Sequence, residues 1–159
     1  VHAGGGRDML VAAADAAGQA EPPPPRLVAV TTLTSLDQSD LADLGIHRSL
    51  NDQTRALGRL ALHCGIDGLV CSPLEAAGFR AEIGESPLLV TPGIRPSGAE
   101  VGDQKRVATP RVAIEAGATH LVVGRPIVQA ADPAAAARDI LNDMAVAAMA
   151  VNPNEDDNA

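Results

Sequence analysis

Four short apolar runs bounded by Gly, Pro or Thr mark the chain: Leu27–Val30, Gly68–Cys71, Leu88–Val90 and Leu121–Val123. Their hydrophobicity is continuous rather than alternating, which predicts strands of a parallel sheet covered on both faces. The stretches between them carry helix signals. Asn51 to Cys64 places Leu57, Leu60, Ala61 and Cys64 on one face, and Asp132 to Met149 is an Ala-rich helix predicted to turn Ile140, Leu141 and Met144 inward. Ser72-Pro73-Leu74-Glu75 combines an N-cap Ser, a first-turn Pro and a Glu three positions on, a capping box; Thr109-Pro110 and Asp132-Pro133 are similar starts. Gly4-Gly5-Gly6 followed by Arg7 to Ala17 reads as the tail of one more such unit. Repetition of strand, loop and helix predicts an α/β fold built on a parallel sheet.

Composition narrows the class. A chain of 159 residues is enough for one domain, which at this size buries ~68–70% of its unfolded surface. The domain is expected over 1–149, with 150–159 a disordered acidic tail and Pro22 to Pro25 a short polyproline linker. The apolar fraction of 46% is Ala, Val, Leu and Ile, with Phe79 the sole aromatic, and the net charge is −8. No extended basic face and no stacking platform are available, so nucleic acid is excluded as a partner. No apolar run approaches the ~18 residues of a spanning helix, and Val1 to Gly6 lacks the features of a signal peptide, so a soluble, cytoplasmic protein with no membrane partner is expected. Cys64 and Cys71 form no CxxC and read as reduced, packed thiols; His2, His47, His63 and His120 have no ligand spacing, and no metal is expected. Eleven of the twelve basic residues are Arg. Lys105 is the single Lys.

In parallel α/β folds ligands gather at the carboxyl ends of the strands. There this sequence has Thr31-Thr32-Leu33-Thr34-Ser35, Ser72-Pro73, Thr91-Pro92-Gly93-Ile94-Arg95-Pro96 and Gly124-Arg125-Pro126-Ile127. Gly124 lets backbone N–H groups approach an anion and Arg125 supplies a guanidinium, so the last loop has the parts of a phosphate site. Taken alone, a surface salt bridge explains Arg125 equally well. Arg95 is a candidate second cation. The segment from Pro96 to Ala108 exceeds the ~2–6 residues usual for such a connection and reads as a lid, with Gln104, Lys105 and Arg106 at its return. Gln104 offers a donor and an acceptor together. Ser35 and Ser72 have no base nearby in sequence, and Glu75 reads as a cap residue rather than a general acid. His2, at a strand end, is a candidate lining residue.

Several of these strings, taken together, resemble one family. Val1-His2-Ala3, Ala29 to Ser35, Gly65 to Ser72, Val90-Thr91-Pro92-Gly93-Ile94-Arg95-Pro96, Gly102-Asp103-Gln104-Lys105-Arg106 and Val123-Gly124-Arg125-Pro126-Ile127 occur in the order and approximate spacing of orotidine 5'-phosphate decarboxylases. The combination of PGIRP, DQKR and GRPI is specific where each string alone is weak. The resemblance implies part of a TIM (β/α)8 barrel, roughly strands 5 to 8 with the end of strand 4. It also implies an enzyme that converts orotidine 5'-monophosphate to UMP and CO2 in pyrimidine biosynthesis without metal or organic cofactor. Members are typically homodimers.

Carried over by motif, the resemblance implies that Thr34 contacts the pyrimidine, that Gln104 bridges base and phosphate, and that Arg125 with the Gly124 backbone holds the phosphate. Arg95 matches a substrate-binding position in the loop that closes over the ligand. The family's chemistry resides in a Lys-Asp-Lys-Asp array that includes a DxKxxD motif, in which a lysine stabilises a developing carbanion and delivers a proton. No such motif stands in this sequence, and its one lysine belongs to the DQKR string. The resemblance therefore implies binding residues without catalytic ones, and a chain inactive by itself. Two other readings stay open: another phosphosugar enzyme of the same barrel superfamily, such as a keto-gulonate phosphate decarboxylase or a pentose phosphate epimerase, and a non-catalytic phosphate- or nucleotide-binding half-barrel.

Overall fold

The computed structural model describes residues 1–97 and 105–151, and its backbone alternates strands and helices along the chain. Four strands, β1 (Val28–Val30), β2 (Gly68–Val70), β3 (Leu88–Thr91) and β4 (His120–Leu121), pair in sequence order. Every pairing is parallel, with Ala29, Leu69 and Leu89 in one register row. His2 pairs in parallel with Val30 on the far side of β1, which is the expected end of a preceding strand. The sheet corresponds to about half of a (β/α)8 barrel.

The helices are α1 (Arg7–Gly18), α2 (Gln38–Asp43), α3 (Leu50–His63), α4 (Pro73–Ile83), α5 (Pro110–Glu115), α6 (Arg125–Val128) and α7 (Pro133–Val151). Capping defines where several begin. Ser72 Oγ accepts from the Leu74 amide while Glu75 Oε2 accepts from the Ser72 amide, which completes the capping box of α4. Thr109 caps α5, and Asp132 Oδ1 accepts from the Ala135 amide at the start of α7. Among the described residues no helix is long and apolar enough to cross a membrane.

One face of the sheet is covered and the other half open. Ala29, Leu69 and Leu89 are fully buried against Leu10, Ala61, Ala76 and Phe79. Their neighbours Val28, Val30, Val70, Leu88 and Val90 are half-buried, where the continuous apolar runs predict cover on both sides. Phe79 fills the space left by Gly58: a Cβ there would stand 2.5 Å from the ring. At the amino ends of β3 and β4, Arg80 gathers backbone oxygens, donating from Nε and Nη2 to Gly117 O at 3.2 and 2.8 Å and from Nη1 to Gly84 O and Pro87 O at 2.6 and 3.2 Å.

Three expectations change. β4 ends at Leu121, and Val122 is exposed, because this edge strand has a neighbour on one side only. In α7 the buried positions are Ile140 and Ala147, seven apart on one stripe, and Leu141 is 61% exposed rather than inward. An Ala-rich helix defines its apolar face poorly, so a one-residue rotation went unseen in the pattern. The short helices α2 and α6 fall where the sequence reading has only loops. Residues 152–159, most of the expected acidic tail, lie outside the described residues.

Candidate functional site

The strands deliver their carboxyl ends to one rim. There His2, Thr32, Leu33, Thr34, Cys71 and Pro92, with Val30 and Val70 beneath them, line a pocket of about 160 Å³. Thr34 is buried at this rim, and His2 joins it as the sequence suggests. Other hydroxyls of the rim serve the fold. Thr31 Oγ1 donates to Val70 O at 2.8 Å, and the buried Thr54 hydroxyl lies 2.8 Å from Thr32 Oγ1 and 2.9 Å from Leu50 O. Ser72 is fully buried, and its hydroxyl is engaged in the cap of α4. Cys71 is buried, and burial pushes its thiol up to about 12, so it is protonated at neutral pH.

The loop after β3 returns to the sheet beside its own start. The Arg95 amide donates to Ala108 O at 2.9 Å, the Ala108 amide to Gly93 O at 3.3 Å, and Ile94 bridges Ala108 in parallel. Arg95 is only 9% exposed, with Nη1 donating to Ile94 O at 2.8 Å. Gln104 and the middle of the expected lid lie outside the described residues. At the carboxyl end of β4, Gly124 precedes the first turn of α6 and Arg125 opens it, exposed. A Cβ at Gly124 would meet nothing within 4 Å, so packing does not require glycine there.

Lys105 and Arg106 carry the contacts that the sequence did not reveal. Lys105 Nζ donates to Asp37 Oδ2 at 2.7 Å and Asp40 Oδ2 at 2.9 Å, the two residues that form the capping box of α2. These bonds raise the lysine above its ordinary value and hold Asp37 well below the usual carboxylate range. Arg106 is 7% exposed: it pairs with Glu75 and donates from Nη2 to Thr32 O at 3.1 Å and Leu33 O at 2.7 Å. Burial draws its pKa below the ordinary arginine value. Glu75 is the cap residue expected, and its second oxygen has this further partner. The signal in the sequence was the charged return of a long loop; the partner of that charge lay 31 residues away.

A larger cleft of about 410 Å³ lies between the loop after β3 and helices α5 to α7, lined by Pro96, Ser97, Pro110, Pro126, Ile140 and the carboxylates Asp139 and Asp143. Asp143 is paired with Arg111 Nε at 3.3 Å, and Asp139 adds a negative charge that disfavours an anion there. The polar rim around Thr34, Arg95 and Gly124-Arg125 is the better candidate.

Comparison with known proteins gives one consistent answer. The profile of the family described as orotidine 5'-phosphate decarboxylase / HUMPS matches residues 1–140. The chain is 51% identical over 141 residues to an orotidine 5'-phosphate decarboxylase of Idiomarina loihiensis and 49% identical over 140 residues to one of Salmonella typhimurium. These alignments cover 89% and 88% of this chain but 61% and 57% of the relatives. Among solved structures, the orotidine 5'-phosphate decarboxylase of Lactobacillus acidophilus superposes with a TM-score of 0.77 at 39% identity, over 91% of this chain and 61% of that one. The chain thus spans about 60% of the length of the proteins it matches.

Proposed function

The chain belongs to the orotidine 5'-phosphate decarboxylase / HUMPS family, and from that premise we propose that it is the substrate-gripping side of an orotidine 5'-monophosphate decarboxylase. In this reading Thr34 meets the pyrimidine, Gln104 bridges base and phosphate, and Arg125 with the Gly124 amide holds the phosphate. Arg95, in the loop after β3, is a further substrate-binding residue. The observation that carries the reading is the common rim: Thr34 follows β1, Arg95 follows β3 and Gly124-Arg125 follows β4 of one parallel sheet, all beyond the carboxyl ends of their strands. A phosphate held there would supply binding energy remote from the reacting carbon, which a decarboxylase can use to close and order its site.

The proton donor is a different matter. Loss of CO2 leaves a carbanion that must be stabilised and protonated, and the family does this with lysine. The one lysine of this sequence is engaged by Asp37 and Asp40. We therefore read the chain as competent to bind UMP and incompetent, by itself, to release CO2. The other phosphosugar enzymes of the superfamily are the weaker alternative, because the curated relatives at 49–51% identity are orotidine 5'-phosphate decarboxylases.

Calorimetry with UMP and a CO2-release assay with orotidine 5'-monophosphate test both halves. The expected result is UMP binding without turnover. Failure of the folded chain to bind UMP or inorganic phosphate overturns the binding role, and turnover by the isolated chain overturns its inactivity.

A further inference from the structure

We infer that Arg106, with Glu75 as its counter-ion, is a positioning residue that fixes the base-side loop after β1 against the phosphate-side loop after β3, so that one nucleotide is gripped at both ends together. This rests on the reading of the site given above. Three consecutive carbonyls of the first loop are taken by two consecutive residues of the second. Arg106 Nη2 donates to Thr32 O and Leu33 O, and the Lys105 amide donates to Thr34 O at 3.3 Å.

The chemistry of the staple requires arginine. Its planar fork reaches the two carbonyls from Nη2 while Nη1 pairs with Glu75; an ammonium is a compact point charge that cannot span the same partners. Glu75 is itself fixed by the Ser72 amide at the first turn of α4, so the guanidinium is anchored to a helix rather than to another loop. The pair is buried, with side chains 8% and 9% exposed. Buried ion pairs contribute little net stability against apolar replacements, yet removing one partner is costly, so such a pair is best accounted for by the geometry it enforces. That geometry concerns the ligand. Thr34 directly follows the two carbonyls that Arg106 holds, and Gln104 lies two residues before Arg106 in sequence. Fixing both loops before the ligand arrives lowers the ordering cost of a molecule that touches both.

The test compares wild type, Arg106→Lys and Glu75→Gln by titration with UMP and with inorganic phosphate. Loss of the fork is expected to weaken UMP by about tenfold, the scale of one charge-assisted hydrogen bond. Phosphate keeps Gly124 and Arg125 and loses at most its contact with Gln104, so it is expected to weaken less than UMP, by about twofold, with Glu75→Gln shifting the same ratio to a smaller degree. Parallel losses for both ligands, or no loss for either, overturn the proposal. Amide exchange supplies a readout independent of ligand. In Arg106→Lys, or in Glu75→Gln should the first variant not fold, the amides of Leu36 and Lys105, bonded to Leu33 O and Thr34 O, are expected to exchange faster while Leu69 and Leu89 are unchanged. Unchanged exchange at Leu36 and Lys105 overturns the staple. Should wild type bind neither ligand, the function proposed for the site fails and exchange alone decides the staple.

Discussion

Lys105 Nζ and Asp37 Oδ2 lie 2.7 Å apart although 68 residues separate them in sequence, and Asp40 completes the clamp at 2.9 Å. The return of the loop after β3 is thereby tied to the first turn of α2. All three side chains are exposed or half-exposed, so water and salt weaken the attraction.

The clamp should show itself through pH. Asp37 has its pKa lowered by folding, so its contribution is fully present above the unfolded value of about 3.9 and is lost as pH falls through the folded value. Lys105 has its pKa raised, so its contribution is fully present below about 10.4 and is lost as pH rises through the folded value. Urea midpoints of wild type and Lys105→Gln should therefore differ by a constant small amount from about pH 5 to 9 and converge in acid. A gap that persists undiminished at about pH 2 or in molar salt would contradict this.

Cys71 should be chemically silent in the native state. Its folded pKa of about 12 lies above the ordinary thiol value, so its contribution to stability is complete below about 8.5 and declines as pH rises toward 12. An aromatic disulfide reagent at about pH 8 is expected to modify Cys71 only in denaturant. Rapid native labelling of Cys71, located by peptide mass, would show that the rim opens.

Phe79 and Gly58 are one packing unit. Phe79→Ala is expected to cost about 3–5 kcal/mol through the cavity left in the helix-side core. Gly58→Ala places a methyl 2.5 Å from the ring and 2.9 Å from Leu69, an overpacking worth about 1–3 kcal/mol before the helix gains from losing a glycine. Combined with Phe79→Leu, which frees space, the alanine should cost less than it does alone. Strict additivity in urea unfolding would break the pairing.

The two ends of the ligand should separate by mutation. Arg125→Ala is expected to weaken inorganic phosphate and UMP alike by about 10–100-fold, the range for hydrogen bonds to a charged group. Thr34→Val should affect UMP and leave phosphate untouched. A titration in which Thr34→Val weakens phosphate as much as UMP would remove Thr34 from the base-side role.

The order of strands and most helix starts were legible because their causes are local. The caps at Ser72, Thr109 and Asp132 involve partners within three residues, and apolar runs mark the strands directly. Short α2 was not legible: its box uses Asp40 where Glu or Gln is usual, in a stretch rich in turn formers. Leu141 was misplaced because alanines on every side gave its helix no distinct apolar face. At the site, hydroxyls and guanidinium groups could be found by type, whereas their division of labour could not. Thr31, Thr34 and Ser72 look alike in sequence, and only the long-range bond to Val70 O and the cap at Leu74 give Thr31 and Ser72 their structural tasks. Arg106 and Glu75 were both visible as charges, and their pairing required the fold.

Arg80 performs at the foot of the strands a service similar to that of Arg106 at the rim, collecting main-chain oxygens from Gly84, Pro87 and Gly117. If Arg106 positions the ligand loops as proposed, durability and ligand handling rest on separate arginines at opposite ends of one sheet. An engineer who reinforces the Arg80 end can toughen the protein while leaving recognition as it was, and damage confined to that end should shorten the protein's lifetime before it blunts its grip.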